Sequence, residues 1–138
     1  MPRFAAERIL LAPLEDVWTF LAEPYNLSDW WPSISGVEPD RRGLAPGARW
    51  EVVAPNEPRL FRRPQAAGTL LVLDVVPMRR IAFQLPAERL DAELELQPVD
   101  EKRTKAVLTI EGSWLMRSSF PRRALDQLHS LLRTGEEF

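Results

Sequence analysis

The sequence contains no cysteine and only one histidine among its 138 residues. The absence of cysteine excludes disulfide bonds, thiolate nucleophiles and zinc–thiolate sites. A single histidine leaves too few nitrogen ligands for a transition-metal site. We therefore expect neither a metal ion nor a cofactor, and the lack of disulfides favours a reducing, cytoplasmic location.

Long hydrophobic runs and a large excess of one charge are also missing. The apolar run ILLAPL near the N-terminus is too short for a signal peptide and is followed at once by acidic residues. No stretch approaches the ~20 apolar residues of a transmembrane helix. A net charge of −2 creates no positive field that would attract nucleic acid or an anionic membrane. We expect no nucleic-acid partner and no stable membrane insertion.

The length of the chain corresponds to a single domain, which we place at residues 1–138. No repeat, low-complexity tract or linker divides it, and no glycine-rich phosphate loop occurs. The 13 prolines are spread along the chain. This spacing is typical of short elements joined by turns, as in a protein with many strands.

The first third of the chain changes from a strand pattern to a helix pattern. FAAERILLA predicts a strand that ends at Pro13. In PLEDVWTFLA the apolar residues recur at intervals of three and four, which predicts a helix with Pro13 at its start. EPYNLSDWWP predicts a second short helix or a structured loop.

The middle of the chain follows a period of two. Strands are predicted at ISGVEPD, ARWEVV, TLLVLDVV, RRIAFQL, LDAELELQ and KAVLTIEGSWLM. The last two alternate most clearly between apolar and polar positions, as half-buried antiparallel strands do.

A long helix closes the chain at SSFPRRALDQLHSLLRTG, with Pro121 in its first turn and Gly135 as its stop. Leu125, Leu128, His129 and Leu132 form its apolar stripe. The fold class is therefore α+β, with a curved antiparallel sheet of about seven strands and helices on one face.

Three motifs indicate a family. AP..DVW.FLA.P.NL..WWP in the first third, PGARW before the predicted third strand, and the hairpin DVVPMRRIAF resemble the START-like polyketide cyclase and lipid-transport (SRPBCC) superfamily. The resemblance covers the whole chain. It implies the helix-grip fold, in which the sheet wraps around the C-terminal helix, a cavity lies between them, and the helix pair after the first strand plugs one end. It also implies an apolar small molecule as ligand or substrate.

The candidate ligand-binding residues are mostly aromatic. Adjacent Trp30 and Trp31 lie at an element boundary, where we expect one ring to pack inward and the other to face the opening of the cavity. Simple core filling is the competing interpretation for each aromatic residue. The residues predicted to contact a ligand are Trp18, Trp30, Trp31, Trp50, Phe83, Trp114, Leu125, Leu128 and His129.

His129 is the one candidate for catalysis. A lone histidine on an apolar helical stripe is more often a hydrogen-bonded core residue, but its side chain suits proton transfer near neutral pH. Asp74 and Glu111 could assist it, although alternation places Glu111 towards solvent. Tyr25 could orient a ligand carbonyl. The cluster RLFRRP (Arg59–Pro64) is either a carboxylate or phosphate grip or a solvated turn.

Two functions remain open on the sequence alone. The first is a carrier, sensor or scavenger of a small hydrophobic molecule, which needs only a dry cavity. The second is a polyketide cyclase, aromatase or dehydratase that uses His129 as acid or base. The scarcity of interior titratable groups favours binding. Regulation of a protein partner and a homodimer, through an edge strand or the helix plug, are left open.

Overall fold

A computed structural model describes residues 3–53, 68–112 and 118–136. In chain order its elements are β1 (Arg3–Leu10), α1 (Leu14–Ala22), a 3₁₀ turn (Pro24–Asn26), α2 (Leu27–Trp30), β2 (Gly36–Glu38), β3 (Arg49–Val53), β4 (Thr69–Val76), β5 (Arg80–Leu85), a second 3₁₀ turn (Pro86–Glu88), β6 (Leu90–Asp100), β7 (Arg103–Glu111) and α3 (Phe120–Glu136).

The strands form one antiparallel sheet in the order β1-β7-β6-β5-β4-β3-β2. Neighbouring strands are also neighbours in sequence except for β1, which pairs with β7 from Arg3↔Glu111 to Leu10↔Thr104. Helix α3 packs against β1, β7 and α2. The predicted fold class, a curved seven-stranded sheet with a C-terminal helix and two short helices after the first strand, is confirmed.

Strands β6 and β7 show why the alternating pattern folds as it does. Leu94 pairs with Leu108 across the two strands, and both side chains are buried on the inner face. The polar residues between them point to the other side of the sheet, because successive side chains of a strand alternate. The buried residues of this pair of strands are Leu90, Ala92, Leu94, Leu96, Thr104, Ala106, Leu108 and Ile110.

Helix α1 begins immediately after Pro13, whose carbonyl accepts hydrogen bonds from the backbone N–H groups of Asp16 and Val17 (both 3.0 Å). Two acidic residues occupy its first turn, where they favour the positive end of the helix dipole. The side chains of Val17 and Leu21 are buried, as the helical spacing predicts.

Two polar contacts connect the ends of the chain to the sheet. The buried hydroxyl of Thr104 donates a hydrogen bond to the carbonyl of Ala12 (2.9 Å), which fixes the chain between β1 and α1. The Arg8 guanidinium on β1 donates to the Asp126 carboxylate on α3. The first strand and the last helix are therefore joined by charge as well as by apolar packing.

Two details differ from the sequence prediction. Helix α3 passes through Gly135 and ends at Glu136, so Gly135 does not stop it; a glycine in the last turn costs a helix only about 1 kcal/mol. Strand β4 contains a register shift between Val72 and Asp74, which the predicted strand did not include, and Leu73 at this position is half exposed. Among the described residues, no helix is both long and apolar enough to span a membrane.

Candidate ligand cavity

An apolar cavity lies between the helices that follow β1 and the half of the sheet formed by β3 to β6. Helices α1 and α2 cover it from one side, the strands form its floor, and the loop between β2 and β3 adds one side chain. The lining residues are Leu21, Leu27, Trp30, Leu44, Trp50, Leu70, Val72, Ile81, Phe83 and Leu94. None of these ten side chains is titratable.

The protein's own side chains nearly fill this cavity. Its free internal volume is about 20 Å³, although the wider hollow, which includes space open to solvent, amounts to about 380 Å³. A volume of this size holds roughly one water molecule. The lining offers such a water few polar partners, so the cavity is suited to apolar atoms.

Trp30 and Trp31 are both buried, with 3% and 1% of their surfaces exposed. Their rings meet edge to face, with centroids 5.5 Å apart and an interplanar angle of 86°. Helix α2 ends at Trp30 and the backbone of Trp31 is extended, so the two adjacent side chains diverge into different parts of the core. The expectation that one ring faces an opening differs from this arrangement, because neither ring is exposed.

Trp31 joins three parts of the fold. Its ring makes edge-to-face contacts with Phe83 on β5 (5.0 Å) and with Phe120 at the start of α3 (5.2 Å). Its indole N–H donates to the Ser33 hydroxyl (2.9 Å). Trp31 lies outside the cavity lining, which only Trp30 of the pair reaches.

The Ser33 hydroxyl also hydrogen-bonds the carboxylate of Glu88, in the turn between β5 and β6. Burial raises the pKa of Glu88 above its usual value, and the Ser33 hydrogen bond partly opposes that shift. The residue as a whole remains exposed, so its carboxylate is still in contact with solvent. Through Ser33, the end of the helix plug is connected to the β5–β6 turn.

The other predicted ligand residues divide into three groups. Trp50 and Phe83 line the cavity. Leu125 and Leu128 are buried in the core on α3, and Trp18 packs against the core, but none of these three lines the cavity. Trp114 lies outside the described residues.

The polar candidates are not brought together at the cavity. His129 on α3 is partly buried and does not line it. Glu111 is exposed, as expected, and Asp74 faces Arg80 at the surface with 3.7 Å between carboxylate and guanidinium. Tyr25 is 54% exposed. The arginine cluster Arg59–Pro64 lies outside the described residues.

No group of histidine, aspartate and glutamate residues that could hold a metal ion occurs within the described parts of the chain. The lining residues outside the predicted ligand set are Leu21, Leu27, Leu44, Leu70, Val72, Ile81 and Leu94. Alternation along the strands already places Ile81 and Leu94 on inner faces. Leu44 carries no such signal, since it stands in a loop between glycine and proline.

The family model for polyketide cyclase / dehydrase and lipid transport matches residues 1–132. The chain belongs to that family. Membership of this family agrees with the helix-grip architecture of the sheet and its C-terminal helix, and it confirms the resemblance found in the sequence. Among curated protein sequences, none matches the chain significantly.

Solved structures of family-like fold cover nearly the whole chain. A protein from Nitrosospira multiformis has 16% sequence identity and a TM-score of 0.69, with 99% of this chain and 100% of that chain covered. A protein from Nitrosomonas europaea has 20% identity and a TM-score of 0.67, with 99% and 97% covered. A point mutant of Thalictrum norcoclaurine synthase, in complex with a transition-state analogue, has 13% identity and a TM-score of 0.66, with 98% and 96% covered. At these identities the likeness establishes the fold.

Proposed function

We propose that this protein binds a small, uncharged, apolar molecule in the cavity beneath α1 and α2, as a carrier, sensor or scavenger. The observation that carries the proposal is the composition of the lining, ten apolar side chains from four strands, two helices and one loop. Burying a charged or strongly polar ligand there would leave its polar groups without partners, at a cost of several kcal/mol. The family description, which includes lipid transport, supports the same ligand class.

The small free volume restricts how the ligand binds. Pockets for drug-sized ligands usually measure roughly 300–1,000 Å³, whereas the free space here is about 20 Å³. A ligand of that size must displace lining side chains and expand the cavity. We therefore expect the measured affinity to be lower than the apolar contact area alone would give, because the closed, packed state competes with the ligand.

A cyclase, aromatase or dehydratase activity is the alternative. It requires an acid or base within hydrogen-bond reach of the substrate, and none of the ten lining side chains provides one. The similarity to norcoclaurine synthase indicates that the fold can support catalysis, but His129 would have to act from outside the lining. His129→Gln separates the two functions: it should leave ligand binding unchanged if the protein is a binder and abolish turnover if it is an enzyme.

The first experiment is native mass spectrometry of the freshly purified protein, followed by denaturing extraction of any bound molecule. We expect a reproducible added mass that belongs to an uncharged, apolar compound. An extracted ligand that is ionic at neutral pH would contradict the proposal.

Val72→Ile tests the location of the site. Val72 is 2% exposed and lines the cavity, so one added methylene group can occupy the free space. The variant should be more stable, by up to about 0.8 kcal/mol, and should bind the ligand more weakly. The matched control is Val17→Ile, at a fully buried position on α1 outside the lining. There the added group finds no space, so stability should fall by about 1–3 kcal/mol while affinity is unchanged. If Val72→Ile and Val17→Ile change the affinity equally, the ligand binds outside this cavity.

The organisation of residues 1–138 as one domain, a cytoplasmic location and a homodimer stay predictions. Sedimentation analysis at several protein concentrations tests the homodimer. A mass that stays at the 15.8 kDa of the single chain would contradict it.

A further inference from the structure

Among the described residues that line the cavity, the most exposed side chain comes from the loop between β2 and β3, residues 39–48. We call it the Leu44 loop, after the residue it contributes to the lining. Leu44 is partly exposed, whereas each of the other nine lining side chains is at most 7% exposed. A molecule that passes Leu44 therefore crosses the thinnest part of the wall.

Both ends of the Leu44 loop are held firmly by hydrogen bonds to the backbone. The Asp40 carboxylate accepts from the N–H groups of Arg42 (3.0 Å) and Arg49 (2.9 Å). These bonds, led by the one from Arg49, hold the pKa of Asp40 below its usual value. At the other end, Gly47 donates to the Val72 carbonyl (2.8 Å), and the Val72 N–H donates to Ala48 (2.9 Å).

The middle of the loop is held to the protein much more weakly. The described contacts contain one hydrogen bond between the tip of the loop, residues 43–46, and a residue outside the loop: the Trp50 indole N–H donates to the Gly43 carbonyl (2.9 Å). The tip's remaining backbone bonds, such as Ala45 N–H to the Gly43 carbonyl, lie within the loop and move with it. A single neutral hydrogen bond contributes little to holding a segment closed.

Two glycines flank Leu44 where the backbone would have to turn. Gly43 and Gly47 have φ angles of +62° and +87°, in the region that glycine adopts without strain. A Cβ added at Gly43 would meet no atom within 4 Å, so the space around it is open. The backbone at these two glycines can therefore change direction without the steric cost that a side chain would impose.

The helix plug is packed more tightly against the rest of the protein than the Leu44 loop is. Trp30 and Leu27 are buried, and Trp31 fixes the end of α2 through its three aromatic contacts. Moving the plug would break the contacts of Trp31 with Phe83 and Phe120 and would uncover the buried side chains of Leu27 and Trp30. Moving the Leu44 loop separates one hydrogen bond and one partly exposed leucine.

We propose that the Leu44 loop is the gate through which the apolar ligand enters and leaves the cavity, with Leu44 as the closing side chain and the Trp50–Gly43 hydrogen bond as its latch. This inference rests on the proposed function. Because Trp50 also lines the cavity, a ligand that shifts the indole weakens the latch, so the occupant of the cavity affects the state of its own gate.

Stopped-flow fluorescence with N-phenyl-1-naphthylamine, a neutral apolar fluorophore, tests the gate. Trp50→Phe keeps an aromatic ring in the lining but removes the N–H donor of the latch. We expect its association and dissociation rates to rise together, by about fivefold, as the loss of one neutral hydrogen bond implies. Leu44→Ala should accelerate both rates at least as much. The association rate is the deciding readout, because both residues also line the cavity and their replacement changes the Kd as well.

The matched control is Leu73→Ala, a leucine truncation at a half-exposed position on β4 outside the lining, which should leave both rates unchanged. Leu27→Ala tests the competing route through the plug. If Leu27→Ala accelerates exchange while Leu44→Ala and Trp50→Phe do not, the gate lies in the plug and the inference is wrong. If no form of the protein, wild type included, takes up the fluorophore, the proposed function itself fails. Circular dichroism of each variant confirms that it is folded.

Discussion

Replacing Trp31 tests whether the tryptophan pair is structural or functional. Trp31 is 1% exposed, contacts three aromatic rings and donates its indole N–H to Ser33. Truncating a buried tryptophan to alanine typically costs about 3–5 kcal/mol. Its edge-to-face contacts are worth about 0.5–1.5 kcal/mol each beyond area burial, which places Trp31→Ala towards the upper end of that range. Trp31→Phe, which keeps a ring but loses the hydrogen bond, should cost about 1–2 kcal/mol.

Thermal unfolding followed by circular dichroism measures this cost. An unfolding entropy of about 2.1 cal/mol/K per residue gives roughly 0.29 kcal/mol/K for a chain of 138 residues. Trp31→Ala should therefore lower the Tm by roughly 10–17 °C, and Trp31→Phe by roughly 3–7 °C. Trp18→Ala provides the comparison, because Trp18 is only partly buried and should cost less than Trp31. A fall of under ~3 °C for Trp31→Ala, with a cooperative transition, would refute the reasoning.

Two further predictions concern polar groups. Thr104→Val removes the hydroxyl that donates to the Ala12 carbonyl and should destabilise the protein by about 1–3 kcal/mol in urea unfolding. The same change at the partly exposed Thr109 should have almost no effect on stability. Equal losses of stability at both positions would contradict the role of the hydrogen bond. Because burial raises the pKa of folded Glu88, its contribution to stability is fully present below the unfolded pKa and is lost as the pH rises through the folded pKa. Glu88→Gln should therefore be slightly more stable than wild type at pH 7 and equal to it at pH 3, and a wild type that is more stable at pH 7 would show that the Ser33 hydrogen bond outweighs the burial.

The parts of the fold that were predictable are those in which one side of an element is buried. In β6 and β7 the alternation of Leu94 or Leu108 with polar neighbours defines the inner face, and in α1 the spacing of Val17 and Leu21 defines the helix. These patterns depend on local geometry alone. They also determine the order of the elements, from which the antiparallel sheet follows.

The position and the lining of the cavity were not predictable from the sequence, because they depend on contacts between distant segments. TLLVLDVV is apolar apart from Thr69 and Asp74 and shows no regular alternation, so its pattern does not indicate the register shift after Val72. The stripe of α3 was expected to face a ligand, yet the helix packs on β1, β7 and α2 while the cavity lies under the other half of the sheet. Leu44 is a loop residue, and its burial depends on how the loop packs against the rest of the fold.

The pairing of β1 with β7 has a consequence for biosynthesis. Leu10 pairs with Thr104, so the first strand leaves the ribosome well before the strand that completes its hydrogen bonds. At a synthesis rate of about 5–20 residues per second, roughly 5–20 s pass between the synthesis of β1 and that of β7. During this time the edge of β1 and its apolar side chains are uncovered, and Asp126, the partner of Arg8, is synthesised later still. The nascent chain can meanwhile build the meander from β2 to β6, whose partners are near neighbours. We therefore expect chaperones to bind β1 of the growing polypeptide and to release it later than the other strands. A stalled chain that ends before residue 103 lacks β7, so its β1 should stay bound to the chaperone.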